Sequence, residues 1–225
     1  MLDSKQVQKY GDIGKVISFF QEIDKIPRKS GNERGMVNYL IKFAKDRNLE
    51  YSVDKFNNVI IKKDSTNRTK GYIAFQSHTD MVCEKIDGSH HDFSYEPIPL
   101  IIDGDYIKSK ETSIGADNGI GVSYMLAMLD SKTMKHPNLE MIFTAEEETS
   151  MNGAKNIDLS NLKSHRIISL DAFSDDTINC GCASNYSRVL KFNYFMDEIP
   201  DISNKESYEI MLDGFERRPF WKRYK

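Results

Sequence analysis

Three apolar, strand-like segments of this chain each end on side chains that are acidic or carry an imidazole. AFQSHTDMV carries His78 and Asp80, MIFTAEEE carries Glu146–Glu148, and IISLDAF carries Asp171. A further acidic side chain, Asp117, lies in the glycine-flanked turn GADNGIG, just before a predicted helix. The carboxyl ends of strands in an open α/β sheet converge on one crevice, where ligands bind. The sequence therefore predicts a divalent-metal site, which needs imidazole and carboxylate ligands from distant segments.

Helical and strand-like patterns alternate along the chain, which predicts an α/β domain. Apolar residues recur at helical spacing over residues 13–20 and 36–43, and a third helix is predicted after Gly115. NVIIKK and YIAFQSH are predicted strands, paired as a hairpin or as neighbours, and IDGDY is a predicted turn. Ser30 and Glu33 have the spacing of a capping box at the start of the second helix.

Composition and charge exclude several classes of protein. The 225 residues include 31 Lys and Arg and 34 Asp and Glu, so a net charge of −3 gives no electrostatic reason for binding nucleic acid or a membrane surface. No apolar run approaches the roughly 20 residues that cross a bilayer, and no signal peptide is visible. Three cysteines, Cys83, Cys180 and Cys182, are few and lack CxxC spacing. We therefore expect neither a disulfide scaffold nor structural zinc, and predict a reducing, cytoplasmic location.

Spacing within two of the segments indicates how their side chains act. Side chains two residues apart on a strand point to the same side, so Asp80 can hydrogen-bond the far nitrogen of His78 and fix its tautomer. One of two adjacent glutamates can bind a metal while its neighbour takes a proton from water. Simpler interpretations stay open for each motif alone: a surface His–Asp hydrogen bond, a solvated glutamate run, and helix caps at Asp117 and Asp171.

The ordered strings SHTDMV, GADNGIGV, TAEEETSMNGA and SLDAFSDD resemble the M20-type co-catalytic zinc metallopeptidases. The branch that they resemble is that of the aminoacyl-histidine dipeptidases, over roughly residues 10–185. The resemblance implies a three-layer αβα catalytic domain that hydrolyses dipeptides, of Xaa-His or broad specificity. It implies two zinc ions in each site, with Mn²⁺ or Co²⁺ as substitutes. It also implies a homodimer for intact relatives and leaves open whether this chain forms one.

The resemblance also implies roles for individual residues. His78 would bind one metal ion, and Asp80 would be the catalytic-site aspartate that orients its imidazole. Asp117 would bridge the two ions and would precede a peptide bond that is often cis in the family. Asp171 would complete the site of the ion that His78 binds.

The glutamate run needs a choice of register. In the family pattern, a Glu-Glu pair is followed by four residues and then by Gly-Ala, which here is residues 153–154. Counting back places the pair at Glu147 and Glu148, with Glu147 as general base and Glu148 as a ligand of the second ion. Glu146 is then an extra member, and a slip of one residue is the alternative.

The resemblance, together with changes of composition along the chain, implies three regions. Residues 1–184 are expected to form the N-terminal portion of the catalytic domain, 185–213 the beginning of a lid or dimerisation domain, and 214–225 an atypical tail rich in basic and aromatic side chains. Because relatives of the branch are longer, we expect a truncated chain or a fragment. A histidine ligand of the second ion would then be missing, which predicts one tightly held metal and impaired activity. Two alternatives stay open: another M20-type amidohydrolase, such as a tripeptidase or an acyl-amino-acid deacylase, and an inactive remnant.

Overall fold

The structure, a computed structural model, describes residues 12–66 and 70–172. The expected lid region, the tail, Cys180 and Cys182 lie outside these residues. The helices are α1 (Asp12–Ile23), α2 (Arg34–Asp46), α3 (Ala116–Asp130) and α4 (Asn152–Asn156). The strands are β1 (Glu50–Val53), β2 (Val59–Lys63), β3 (Tyr72–His78), β4 (Leu100–Asp103), β5 (Tyr106–Ser109), β6 (Asn138–Thr144) and β7 (Ile167–Ser169).

Five of these strands form one mixed sheet in the order β1-β2-β6-β3-β7. β2 runs antiparallel to β1 and β6, whereas β3 runs parallel to both β6 and β7. The register pairs His78 with Thr144, so β3 and β6 end side by side. The residues that follow β3, β6 and β7 therefore leave the sheet at the same edge.

The core lies between one face of this sheet and helices α1, α2 and α3. Alternate strand residues face these helices, among them Ile61 and Met141, and pack on Phe20, Leu40 and Leu126. The strand residues that alternate with Ile61 and Met141 point to the other face of the sheet. Ile60, Ala74 and Ile142 form a smaller cluster there, against which Ile157 and Leu162 pack.

The predicted α/β class is therefore confirmed, and so are the third helix and the turn between β4 and β5. The expected pairing of NVIIKK with YIAFQSH is wrong, because β6 lies between β2 and β3 and pairs with both. Within the described residues, no helix is long and apolar enough to cross a membrane.

Candidate metal centre

His78 lies at the centre of the group of side chains that the sequence singled out. It is the last residue of β3, and its imidazole is 1% exposed. Its Nε2 lies 2.9 Å from Asp117 Oδ1, 3.8 Å from Asp171 Oδ2 and 3.9 Å from Glu147 Oε2. Carboxylates from three distant segments therefore surround one imidazole nitrogen.

Two sets of ligand atoms in the described residues are close enough to hold a metal ion. One set is His78, Asp117 and Glu148, and the other is His78, Glu147 and Asp171, each with its atoms within 4.8 Å of one another. All four predicted ligands and the predicted base thus come together. His78, Asp117 and Asp171, the set that the resemblance implies for one ion, do not form one of these two groups.

Asp117 reaches the site from a turn at the start of α3. The turn begins at Gly115, whose φ of +69° places it in the left-handed region. The peptide bond between Asp117 and Asn118 is cis, as the family resemblance implies. The Asn118 side chain accepts a 2.7 Å hydrogen bond from Ser77 Oγ on β3, which fixes the turn against the strand that carries His78.

Asp80 anchors the glutamate segment, residues 146–148, through hydrogen bonds to its main chain. Its fully buried carboxylate accepts hydrogen bonds from the backbone N–H groups of Glu147 (3.0 Å) and Glu148 (3.2 Å) and from Ser30 Oγ (2.7 Å). His78 Nδ1 lies 3.1 Å from the Asp80 main-chain oxygen and 3.4 Å from its Oδ1. Burial alone would raise the pKa of Asp80, but these hydrogen bonds lower it to about 2.

A second buried carboxylate, that of Glu33, holds Glu146, the residue that precedes Glu147. Its Oε1 accepts the backbone N–H groups of Glu146 (3.2 Å) and Gly31 (2.8 Å). The capping box predicted for Ser30 and Glu33 is therefore wrong, because both side chains turn toward the metal-site segments. Their spacing is equally typical of a helix start, so no local signal in the sequence separates the two roles.

The side chain of Glu146 does not join the ligand sets that contain Glu147 and Glu148. Its φ is +53°, and its Oε2 accepts a 3.0 Å hydrogen bond from Ser150 Oγ. Within the described residues, it is a member of neither ligand set. Glu147 and Glu148, by contrast, each belong to one set.

The charges at the site fit a divalent cation. Burial alone would lower the pKa of His78, but hydrogen bonds and charges from Asp80, Asp117 and Asp171 raise it to about 9. Burial raises the pKa of Glu147, and the neighbouring carboxylates add to that rise. One imidazolium cannot neutralise this many carboxylates, and imidazole and carboxylate groups are the ligands that zinc and similar ions take.

No family model matches this chain. The cytosol non-specific dipeptidase of Escherichia coli (strain K12) is 30% identical over 197 residues, which are 87% of this chain and 40% of that protein. The crystal structure of aminoacylhistidine dipeptidase from Vibrio alginolyticus matches 71% of this chain and 33% of its own, with a TM-score of 0.68 and 34% identity.

An aminopeptidase PepT from Bacillus cereus matches with a TM-score of 0.60 and 25% identity, covering 70% of this chain and 43% of its own. The chain therefore spans less than half the length of each of these three relatives. The identity with two dipeptidases over most of the chain confirms the resemblance that the four motifs carry. This chain is thus similar, over most of its own length, to a cytosol non-specific dipeptidase and to an aminoacylhistidine dipeptidase.

Proposed function

We propose that this chain carries the metal-binding half of a peptidase that hydrolyses dipeptides. The observation that supports this most directly is the convergence of His78, Asp117, Glu147, Glu148 and Asp171 at the edge where β3, β6 and β7 end. Four carboxylates around one imidazole have a strong electrostatic cost without a cation. The relationship to two dipeptidases supplies the type of reaction.

In this proposal, His78, Asp117 and Asp171 hold one divalent ion, and Asp117 and Glu148 contribute to a second. A bound ion of this kind polarises a carbonyl group and lowers the pKa of a water molecule. Zinc is the ion we propose, with manganese or cobalt as substitutes, because imidazole nitrogen and carboxylate oxygen are both common ligands of zinc.

Glu147 is the proposed general base. Its carboxylate lies 3.9 Å from His78 Nε2, beside the proposed ligands, and is only partly exposed. Burial raises the pKa of Glu147. A carboxylate with a raised pKa is better suited to take a proton from the attacking water and pass it to the leaving amine. The engagement of Glu146 by Ser150 supports this register over the alternative in which Glu146 is the base.

Asp80 is proposed to hold the imidazole of His78 in the orientation that presents Nε2 to the metal. Because Asp80 also binds the backbone N–H groups of Glu147 and Glu148, it fixes the base relative to the ligands. This shared anchor keeps the general base close to the site without placing Asp80 itself on the ion.

The proposed substrates are dipeptides with a free amino group, and a C-terminal histidine is included because the Vibrio relative is an aminoacylhistidine dipeptidase. The Escherichia coli relative is a cytosolic enzyme, and we propose the cytoplasm as the location of this chain. A tripeptide is the second substrate class to test, because a tripeptidase of the M20 type is one of the alternatives that the sequence motifs leave open.

We also propose that the chain holds one metal ion tightly and has impaired turnover. His78 belongs to both ligand sets in the described residues. Its Nε2, which faces Asp117, Glu147 and Asp171, can bind only one ion. A second ion would be left with too few ligands for tight binding.

Zinc affinity of the purified chain tests the proposal, by competition with a chromophoric chelator. His78→Ala should lose most of the affinity, whereas the matched control Glu146→Ala should retain it. Dipeptide turnover with added zinc or manganese should then be lower in Glu147→Ala than in Glu146→Ala. Equal zinc affinity of the wild type and His78→Ala would exclude a metal centre at this position. Loss of turnover in Glu146→Ala alone would move the base by one residue.

A further inference from the structure

Arg28 is a charged side chain that is almost completely buried, at 2% exposure, in the segment between α1 and α2. Its Nη2 donates to Asp24 Oδ1 at 2.9 Å and to the main-chain oxygen of Gly115 at 2.6 Å. Its Nη1 donates to the main-chain oxygens of Asp80 (3.3 Å) and Thr79 (3.5 Å). A single guanidinium therefore bonds to two segments that are far apart in sequence.

Both segments carry proposed metal ligands. Thr79 directly follows His78, and Gly115 lies two residues before Asp117. The main chain of Arg28 adds to the first connection, since its own carbonyl oxygen accepts the Met81 N–H at 3.2 Å. The Arg28 side chain thus spans the gap between the strand end that presents the imidazole and the turn that presents the carboxylate.

Two glycines of the GADNG sequence leave room for this side chain. A Cβ at Gly115 would lie 2.2 Å from Arg28 Nη2, and a Cβ at Gly119 would lie 2.8 Å from the same atom. Any other residue at either position would collide with the guanidinium. The turn that carries Asp117 is therefore shaped around Arg28.

We propose that Arg28 is a positioning residue that sets the distance between His78 and Asp117, and thereby the affinity of the site for its metal ion. The proposal rests on the metal centre proposed above. Arginine suits this role because its planar group presents several N–H donors in fixed directions, whereas the lysine ammonium is a compact charge that cannot reproduce this fork. Asp24, which is 1% exposed, supplies the charge that allows the guanidinium to be buried.

The test compares Arg28→Lys with a matched control, Arg47→Met. Arg47 also joins two helices, through a 2.6 Å ion pair with Asp130 at the far end of α3, and it contacts no proposed ligand. Arg28→Lys should weaken zinc binding by about tenfold or more, the effect typical of residues that orient metal ligands. Arg47→Met should lower the melting temperature but leave the zinc affinity unchanged.

Hydrogen exchange of the metal-free protein gives a second measurement that needs no bound ion. The Met81 and Gly119 amides are bonded to Arg28 O and Gly115 O, so they report on the two connected segments. Arg28→Lys should speed exchange in residues 79–81 and 115–121, and Arg47→Met should not. If Arg28→Lys does not fold, Asp24→Asn with Arg28→Met replaces it, because it removes both buried charges.

Unchanged zinc affinity in the Arg28 variant, or equal effects of the Arg28 and Arg47 variants, would overturn the positioning role. A wild-type chain that binds zinc no more tightly than His78→Ala would instead defeat the metal centre itself. In that event hydrogen exchange still tests whether Arg28 orders the two segments. Unchanged exchange in both segments would reject that role.

Discussion

Replacing Asp80 by asparagine should destabilise the metal-free protein in a way that depends on pH. The carboxylate is fully buried, and Ser30 and the N–H groups of Glu147 and Glu148 donate to it. An asparagine amide at this position presents an NH2 group to donors that need an acceptor. The substitution therefore removes a charge that the fold stabilises and leaves at least one N–H group without a partner.

The size of the effect follows from the pKa of Asp80, which the fold lowers from 3.8 to about 2. A lowering of this size corresponds to about 2 kcal/mol of stability. Because the pKa in the folded state is the lower one, this contribution is fully present above pH 4 and is lost as the pH falls toward 2. At pH 3 about 1 kcal/mol should remain.

Urea unfolding of the wild type and Asp80→Asn, with a chelator at pH 7, measures this difference in the free energy of unfolding. The same pair measured at pH 3 should differ by about half as much. Asp103→Asn is the control, because it makes the same chemical change at an exposed carboxylate on β4, whose solvent-exposed ion pair with Lys108 should contribute little to stability. A difference that is absent at pH 7, or equal at the two pH values, would refute the assignment of the low pKa to Asp80.

Three further predictions concern packing, the glutamate segment and the metal. Gly121→Ala should cost about 1–3 kcal/mol in urea unfolding, because its Cβ would lie 2.0 Å from Asn118 Oδ1, whereas Gly71→Ala, with open space around the Cβ, should be neutral. Glu33→Ala should cost about 2–3 kcal/mol, because two backbone N–H groups lose their acceptor, and should speed hydrogen exchange at residue 146. Equilibrium dialysis should find one tightly bound zinc ion per chain, and the affinity should rise from pH 6 to pH 8 as the ion displaces the proton that His78 holds with a pKa of about 9.

Much of the site was predictable because its residues follow strands with a clear apolar pattern. β3 and β6 are seven residues long and contain no exposed residue, so their ends near His78 and Thr144 could be located from the apolar pattern. The convergence of these ends then follows from the geometry of parallel strands. The register of the glutamate pair came from the family resemblance and not from this pattern.

The supporting residues were not predictable, because their partners are distant in sequence. Glu33 and Glu146 are 113 residues apart, and Arg28 and Gly115 are 87 apart. Local patterns around Ser30 and Glu33 match a helix start equally well, so they led to the wrong role. The insertion of β6 between β2 and β3 is missed for the same reason, since strand order depends on contacts that short segments do not encode.

The short strand β7 has a consequence for handling the protein. Its side chains Ile167 and Ile168 are 50% and 43% exposed, and within the described residues it pairs on one side only, with β3. Exposed isoleucines on a short strand form an apolar surface on which another molecule can pack. Self-association should therefore grow with concentration, and a lysine in place of Ile168 should delay its onset in light scattering.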